Sequence, residues 1–257
     1  MKTKTTLTLT LFLLSTISAL TQDAREISNK ANKMIEFESM EMVTTLDIHD
    51  NRGNTRVRQV AIATRKFGET TKTMMRFLSP PDVKGTAMLI YDNEDKADDM
   101  WVYLPSLRRV RRIVSSERGN SFMGSEFTNA DMTRPNMDDF THKLLGSEIF
   151  NGKDCWKVEM TCKSEDIEDE YGFNKRVSYI EKETYLTQKS ELYDSNGKLV
   201  KILNLKDYRK QPNGRFFAFS MEMKNVVNNR RSEMIINQFQ LGSNLDENSF
   251  STASLEK

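Results

Sequence analysis

The chain has 257 residues, of which 37% are apolar, and this fraction supports a folded core and excludes a wholly disordered chain. Its 38 Lys and Arg residues are balanced by 37 Asp and Glu residues. A near-neutral chain without a long basic face argues against nucleic acid as a partner.

The N-terminus has the pattern of a cleaved signal peptide. Lys2 and Lys4 precede an apolar stretch from Leu7 to Leu20, and Ala19 is a small residue suited to a cleavage point. The apolar stretch is about fourteen residues long, whereas a membrane-spanning helix needs about 20. An uncleaved anchor is the alternative. We therefore predict a signal peptide at residues 1–19, export to the periplasm, and a single domain at residues 20–257.

The rest of the chain begins with a helical pattern and continues with strands. Ala24, Ile27, Ala31 and Met34 recur at helical spacing and predict an amphipathic helix over residues 23–36. Apolar and polar residues then alternate, which is typical of half-buried strands. The predicted strand segments are 40–49, 55–66, 71–78, 86–91, 100–105, 108–114, 142–151, 154–163, 175–182, 184–194, 198–209, 215–227 and 229–240.

The segment from Gly124 to Asp139 interrupts the alternation. Glu126–Met132 is predicted as a short helix that Pro135 ends. The strands on either side are joined mostly by hairpin turns, such as Asp194–Gly197. This organisation predicts a meandering antiparallel sheet of about a dozen strands. Such a sheet tends to curl, with helices over one face or over its open mouth.

The two cysteines are not expected to pair with each other. Cys155 and Cys162 lie seven residues apart on one predicted strand, so their side chains point to opposite faces. They are roughly 23 Å apart along an extended strand, and a disulfide needs less than about 7 Å between Cα atoms. The alternation places Cys162 in the core and Cys155 at the surface.

No segment carries a recognisable catalytic or metal-binding motif. His49 and His142 are not in metal-ligand spacing. The segment Gly119–Ser125 lacks the Lys of a phosphate loop and the second Gly of a nucleophile elbow. The acidic stretches Asp92–Asp99 and Glu165–Glu170 are predicted as solvated loops. We therefore expect no catalytic residue, no metal and no cofactor, and a hydrolase would have neither nucleophile nor base.

An arginine cluster follows the predicted strand at 100–105. Because Arg108, Arg109, Arg111 and Arg112 would fall on both faces of a strand, they cannot all be core residues. One interpretation is an edge strand paired with acidic side chains. The other is a cationic rim that meets lipid headgroups or an acidic partner.

Methionine is frequent, with fifteen residues, several of them around the central segment. Flexible thioether side chains suit a cavity that accepts varied apolar ligands, and ordinary core packing explains them equally.

Three blocks of sequence carry a resemblance to a known family. They are Arg76–Thr86, Trp101–Ile113 and Ser121–Phe127, with weaker matches at Gly152–Trp156 and Leu245–Leu255. In these blocks the chain resembles the outer-membrane lipoprotein-sorting protein family, exported relatives of the LolA-type lipoprotein carrier. The similarity is densest from residue 75 to 132 and extends over nearly the whole predicted mature chain.

The resemblance implies a fold and a function. The implied fold is mainly β: a half-open antiparallel β-barrel, here of about eleven strands, with an N-terminal helix and a short helical lid insert. The implied function is non-enzymatic carriage of lipid, lipoprotein acyl chains or another hydrophobic molecule in the periplasm, in some relatives beside an inner-membrane RND-type transporter. The chain is longer than the compact carriers, so lipoproteins are not singled out as the cargo. The alternative is a ligand-free interaction module that docks on such a transporter or on an envelope complex.

Two sets of residues are the candidate site. The predicted hydrophobic cavity consists of Met75, Phe77, Met88, Trp101, Tyr103, Phe122 and Phe127. The predicted rim for a partner or headgroup consists of Arg108, Arg109, Arg111 and Arg112.

Overall fold

The computed structural model describes residues 24–94 and 96–257. The predicted signal peptide at residues 1–19 lies outside the described residues. Helix α1 is described over residues 24–34, and the remaining α-helices are α2 (Ser115–Arg118) and α3 (Glu165–Tyr171). Short 3-10 turns lie at Phe122–Gly124, Ala130–Met132, Met137–Asp139, Glu247–Ser249 and Thr252–Glu256.

Thirteen strands of the described chain form one antiparallel sheet. The first six are β1 (Ser39–His49), β2 (Thr55–Phe67), β3 (Thr70–Ser79), β4 (Ala87–Asn93), β5 (Asp99–Leu104) and β6 (Arg109–Ile113). The others are β7 (Phe140–Phe150), β8 (Lys153–Cys162), β9 (Lys175–Glu181), β10 (Thr187–Tyr193), β11 (Leu199–Lys210), β12 (Phe216–Asn225) and β13 (Arg230–Leu241).

The strand order is β6-β5-β4-β3-β2-β1-β13-β12-β11-β10-β9-β8-β7. Two meanders therefore meet where β1 pairs with β13, and β6 and β7 are the two edges. The sheet is not closed, as predicted for a half-open antiparallel barrel. Each predicted strand segment coincides with an observed strand, so the number is thirteen rather than about eleven. The segment from residue 114 to 139, called the insert below, connects the two edge strands.

The inner face of the sheet is the face that contacts α1 and the insert. Its larger cluster combines apolar side chains of β1 to β6, β12 and β13 with two phenylalanines of the insert, Phe122 and Phe127. A second cluster joins Ala130 of the insert to Phe140, Met160 and α3. Helix α1 packs Ile27 and Ala31 on β8 and β9. The insert thus touches both halves of the sheet.

The outer face is also covered in part. The C-terminal segment, residues 245–257, packs Phe250 and Leu255 on β4, and both side chains are buried. Arg76 Nη2 donates a hydrogen bond to the carbonyl oxygen of Ser254 at 2.8 Å, and the Tyr91 hydroxyl donates to the carbonyl of Phe250 at 2.6 Å.

The structure corrects two expectations about local structure. Glu126–Met132 is not a helix, because only Ala130–Met132 forms a 3-10 turn. The acidic segment Glu165–Glu170 is not a loop but most of helix α3. The Ser164 side chain caps its N-terminus by accepting a hydrogen bond from the amide of Ile167.

The cysteine prediction is partly wrong. Both thiols are free, as expected. Cys155, however, is completely buried, whereas Cys162 is only partly buried. Phe150 and Tyr193 pack over the outer face beside Cys155, so a position facing away from α1 is not exposed there.

Candidate functional site

Five of the seven predicted cavity residues lie together on the inner face. Met75, Phe77 and Met88 project from β3 and β4, and Phe122 and Phe127 come from the insert. All five are at most 5% exposed. The ring centroids of Phe77 and Phe122 are 6.0 Å apart, within the usual range for an aromatic pair. In this conformation the insert fills the place where the sequence predicted a hydrophobic cavity.

Trp101 and Tyr103 are not part of this group. They alternate along β5 with Met100 and Val102, which point to the inner face, so both aromatic rings lie on the outer face. The Trp101 ring packs against Tyr91, with ring centroids 5.1 Å apart, beside the C-terminal segment. The seven predicted residues therefore do not form a single site.

The centre of the insert is a tight loop closed on itself. The amide of Phe122 donates a hydrogen bond to the carbonyl of Phe127 at 2.8 Å, and Ser121 and Thr128 form an isolated β-bridge. Met123 at the tip has a φ of 49°, a conformation rarely adopted by a residue with a side chain. This loop presents Phe122 and Phe127 to the sheet as one unit.

Polar side chains on the strands hold the loop in place. We call this set the latch; it consists of Lys201, Asn225, Arg230 and Ser232. Glu126 is 5% exposed, and its carboxylate accepts a hydrogen bond from Asn225 at 2.9 Å and pairs with Arg230 at 3.0 Å. Its carbonyl accepts from Lys201 at 2.7 Å, and its amide donates to the Ser232 hydroxyl at 3.0 Å. The latch therefore draws on β11, β12 and β13.

Two further arginines on the inner face belong to the same arrangement. Arg58 of β2 is buried and donates to the carbonyl of Met123, and burial lowers its pKa. Arg176 of β9 pairs with Asp131 of the insert at 3.5 Å and lies over the Phe173 ring at 4.9 Å. Burial also lowers the pKa of Arg176. A charge in such a place is stable only while a polar partner or water satisfies it.

Neither the latch residues nor the two inner-face arginines were predicted from the sequence. A signal was nevertheless present for Arg58, because it precedes Val60 and Ile62 at period two and therefore shares their apolar face. A charged residue on the apolar face of a strand requires a polar partner, and only the folded structure identifies that partner as the insert.

A cavity of about 820 Å³ lies between α1, the β4–β5 loop, the insert and α3. Its walls are polar, and many of its charges are paired. Arg118, with a side chain 5% exposed, pairs with Glu170 and with Asp98, the latter at 2.7 Å. Arg134 pairs with Asp92 at 3.0 Å and with Glu36 at 2.9 Å.

The expectation that Asp92–Asp99 is a solvated tip is right for residues 94, 96 and 97, which are exposed, and wrong for Asp98, whose side chain is only 10% exposed. Burial raises the pKa of the Asp98 and Glu170 carboxyl groups, and Arg118 opposes the rise.

The predicted arginine rim lies on the edge strand β6 and the turn before it, and all four side chains are exposed. Arg111 pairs with Glu117 at 2.6 Å, and Arg112 pairs with Asp99. Arg108 and Arg109 form no ion pair with any residue in the described part of the chain. The edge-strand interpretation describes Arg111 and Arg112, and the cationic rim that meets lipid headgroups or an acidic partner stays a prediction.

Over residues 24–94 and 96–257, none of the helices has the length and apolar character needed to cross a membrane. The same residues contain no group of three or more His, Cys, Asp or Glu side chains arranged to hold a metal ion.

A family model with the description "Uncharacterized protein" matches residues 69–257, almost three quarters of the chain. The chain belongs to this family. A comparison with curated proteins finds no match.

Solved structures share the fold over nearly the whole chain. A domain from Vibrio parahaemolyticus, provisionally described as an outer membrane lipoprotein-sorting protein domain, is 27% identical, with a TM-score of 0.85 over 92% of this chain and 100% of its own. A DUF1329 family protein from Desulfovibrio piger is 24% identical, with a TM-score of 0.85 over 92% and 99%. A LolA superfamily protein from Nitrosomonas europaea is 18% identical, with a TM-score of 0.70 over 90% and 98%. These similarities confirm the resemblance predicted from the sequence.

Proposed function

We propose that the protein is a non-enzymatic carrier of a hydrophobic molecule in the periplasm, with lipid or lipoprotein acyl chains as the preferred cargo. The proposal includes cleavage of residues 1–19 and a single domain at residues 20–257. In the proposed mechanism the insert is a lid: it withdraws Phe122 and Phe127 from the inner face, and the cargo takes their place.

One observation supports this mechanism above others. The two phenylalanines that complete the inner apolar cluster come from a loop held by hydrogen bonds and ion pairs rather than from the sheet itself. Polar contacts of this kind are readily exchanged for contacts with water. Several half-buried apolar side chains adjoin the same cluster and would widen the opened site: Met40, Leu104, Met123, Met132, Leu203, Phe217, Met221 and Phe239.

The size of the lid contact sets a lower limit on the cargo. Withdrawing two phenylalanine side chains costs about 3–6 kcal/mol of burial energy, at about 1.5–3 kcal/mol each. A methylene buried in their place returns about 0.8 kcal/mol. About four to eight methylenes are then needed to compensate, so long acyl chains are expected to bind and very short ones are not. The Vibrio parahaemolyticus domain, with a description that names lipoprotein sorting, is consistent with such a cargo.

The test is binding of a series of acyl chains of increasing length. Native mass spectrometry and lipid extraction of the purified protein are expected to recover bound lipid. Displacement of a fluorescent fatty-acyl probe is expected to strengthen with chain length once the threshold is passed. Recovery of no lipid, together with no probe binding at any chain length, would refute the carrier function.

A pair of variants separates cargo binding from general packing. Phe122 and Phe250 are each 1% exposed, the first under the insert and the second on the outer face. Replacing either with alanine is expected to lower the free energy of unfolding by about 3–5 kcal/mol. Only Phe122→Ala is expected to tighten probe binding, because it vacates the proposed site. Equal effects of both variants on binding would contradict the lid mechanism.

The second candidate function is a ligand-free interaction module that docks on an RND-type transporter or an envelope complex. It is favoured by the close packing of Met75, Phe77 and Met88 in the closed conformation. In this case charge reversal at Arg108 and Arg111 would abolish complex formation, and the purified protein would contain no lipid. Cross-linking and pull-down of the wild-type and reversed chains from envelope extracts distinguish the two candidates.

A further inference from the structure

Along one margin of the molecule, which continues to the β10–β11 turn, the sheet topology brings four neighbouring turns together. These turns are residues 50–54, 80–85, 105–108 and 226–229. His49 pairs with both Thr55 and Arg231, so the first turn lies beside the fourth. A Cβ atom on Gly85 would be 3.4 Å from Pro105, so the second turn contacts the third. Eight adjacent strands, β6 to β12 in sheet order, contribute to this margin, which spans roughly 34 Å at about 4.8 Å per strand.

Positive charge is concentrated at this margin, which we call the basic rim. Its six exposed cations are Arg52, Arg56, Lys84, Arg108, Arg109 and Arg231. Within the described ranges none of the six forms an ion pair, although twenty ion pairs occur elsewhere. The two acidic residues of the rim are Asp50 and Asp82, and Asp50 is engaged by Asn54 within its own turn. The whole chain has a net charge of only +1, so the positive charge of the rim makes the charge distribution of the molecule uneven.

Apolar side chains project from the same margin. Leu107 at the tip of the β5–β6 turn is 66% exposed, and Val227 in the β12–β13 turn is 56% exposed. Exposed apolar residues on the same margin as several cations suit a membrane interface, where the apolar side chain enters the acyl boundary and the cations remain among headgroups.

We propose that the basic rim binds the surface of a bilayer that contains anionic phospholipid. The unpaired cations complement the negative surface potential of such a bilayer. Leu107 and Val227 add apolar contact that an acidic protein surface would not require. A laterally mobile lipid surface also matches charges spread over four separate turns rather than gathered in a groove. This inference goes beyond the carrier function and does not depend on it, because the basic rim and the insert use different residues.

The test is co-sedimentation of the purified protein with vesicles of phosphatidylethanolamine, with and without phosphatidylglycerol. Binding is expected only with phosphatidylglycerol and is expected to weaken as salt is raised. The triple variant Arg52→Gln, Arg108→Gln, Arg109→Gln is expected to bind about a hundredfold more weakly, at about fivefold per cation. The matched control is Lys30→Gln, Lys182→Gln, Lys206→Gln, which removes the same charge from cations paired with acidic residues elsewhere.

A second pair of variants tests the apolar contact. Leu107 and Ile149 are both 66% exposed, but Ile149 lies on the opposite edge strand β7. Leu107→Ser is expected to weaken vesicle binding about tenfold, and Ile149→Ser is expected to leave it unchanged. Both positions are exposed, so circular dichroism is expected to show intact folding.

Three outcomes would overturn the proposal. The first is equal sedimentation with neutral and anionic vesicles, and the second is equal sedimentation of the rim triple variant and its control. The third is loss of binding to an acidic envelope protein in the rim variant while vesicle binding is retained, which would assign the rim to a protein partner. Because the rim variants leave Phe122 and Phe127 intact, acyl-probe binding is expected to persist in them.

Discussion

The Glu126 carboxylate is the contact we expect to control whether the insert stays closed. Glu126→Gln keeps the shape of the side chain and removes its negative charge, which contacts both Arg230 and Asn225. A hydrogen bond to a charged group contributes about 1.5–3 kcal/mol. Because the Arg230 side chain is 34% exposed, water compensates part of the loss. We therefore expect the closed state to lose about 1.5 kcal/mol relative to the open state.

A change of about 1.4 kcal/mol corresponds to a tenfold change in an equilibrium constant. Amide hydrogen exchange in residues 121–132 is therefore expected to accelerate about tenfold in Glu126→Gln, while exchange in the central strands changes little. If cargo enters only when the insert is open, the apparent affinity for an acyl probe is expected to rise about tenfold. Exchange mass spectrometry and probe titration measure the two effects separately.

Glu191 supplies the matched control. It lies on β10 on the outer face, where its carboxylate accepts from Lys189 at 2.5 Å and from Tyr193 at 2.8 Å. Glu191→Gln is expected to lower stability comparably without changing exchange in residues 121–132 or probe binding. The reasoning is refuted if Glu126→Gln lowers global stability without any local acceleration of exchange, or if both variants alter probe binding equally.

Three further predictions concern stability and reactivity. Gly119→Ala is expected to lower the free energy of unfolding by about 1–3 kcal/mol, since its Cβ would lie 2.2 Å from the carbonyl oxygen of Asp169; unchanged denaturant unfolding would contradict this close contact. Burial raises the pKa of the Cys155 thiol and raises that of Cys162 to about 12, so both are expected to resist alkylation at pH 8 until the protein is unfolded. Fast labelling of both thiols in the folded protein would refute their burial. Burial lowers the pKa of His142, so protonation favours the unfolded chain, and stability is expected to fall as the pH drops below about 6.5. Thermal unfolding of His142→Asn should then depend less on pH, and identical pH profiles would contradict this assignment.

The strands were predictable because their signal is local. A period of two places Val60, Ile62 and their neighbours on one face, and a slip of one residue would expose all of them. The same rule puts Met75 and Phe77 on one face of β3, and both side chains lie in the inner cluster. Hairpin turns then fixed which strands are neighbours within each meander, although the pairing of β1 with β13 involves residues from opposite ends of the chain.

The helical segments were harder because their local signals conflict. Glu165–Tyr171 is rich in acidic residues, which suggested a solvated loop, yet Ser164 before it and Gly172 after it are good helix-capping residues. In the insert, Glu126 has a high helix propensity but forms contacts with three strands instead. Long-range contacts outweighed propensity there, and no local pattern records them.

Two different errors misplaced these residues: Cys155 was expected to be exposed on the outer face, whereas Trp101 and Tyr103 were assigned to the inner cavity although they lie on the outer face. Alternation separates the side chains of a strand into two faces, but it does not show what covers the outer face. Phe250 and Leu255, about 150 residues beyond Trp101 and Tyr103, cover the outer face at β4 and β5, and Phe150 and Tyr193 cover it beside Cys155. In a sheet covered on both faces, alternation shows which side chains share a face, but it shows neither which face is the inner one nor how exposed each face is.

The charges on the inner face determine where the insert seats on the sheet, and its apolar contacts make the closed insert the expected resting state. Arg58 and Arg176 occupy positions that alternation assigns to the apolar face, where an unpaired charge is unfavourable. The carbonyl of Met123 and the carboxylate of Asp131 supply their partners, and both belong to the insert. Opening the insert exposes these arginines to water, which replaces the lost polar contacts. Water does not replace the apolar contacts of Phe122 and Phe127, so only a hydrophobic occupant makes the open state favourable.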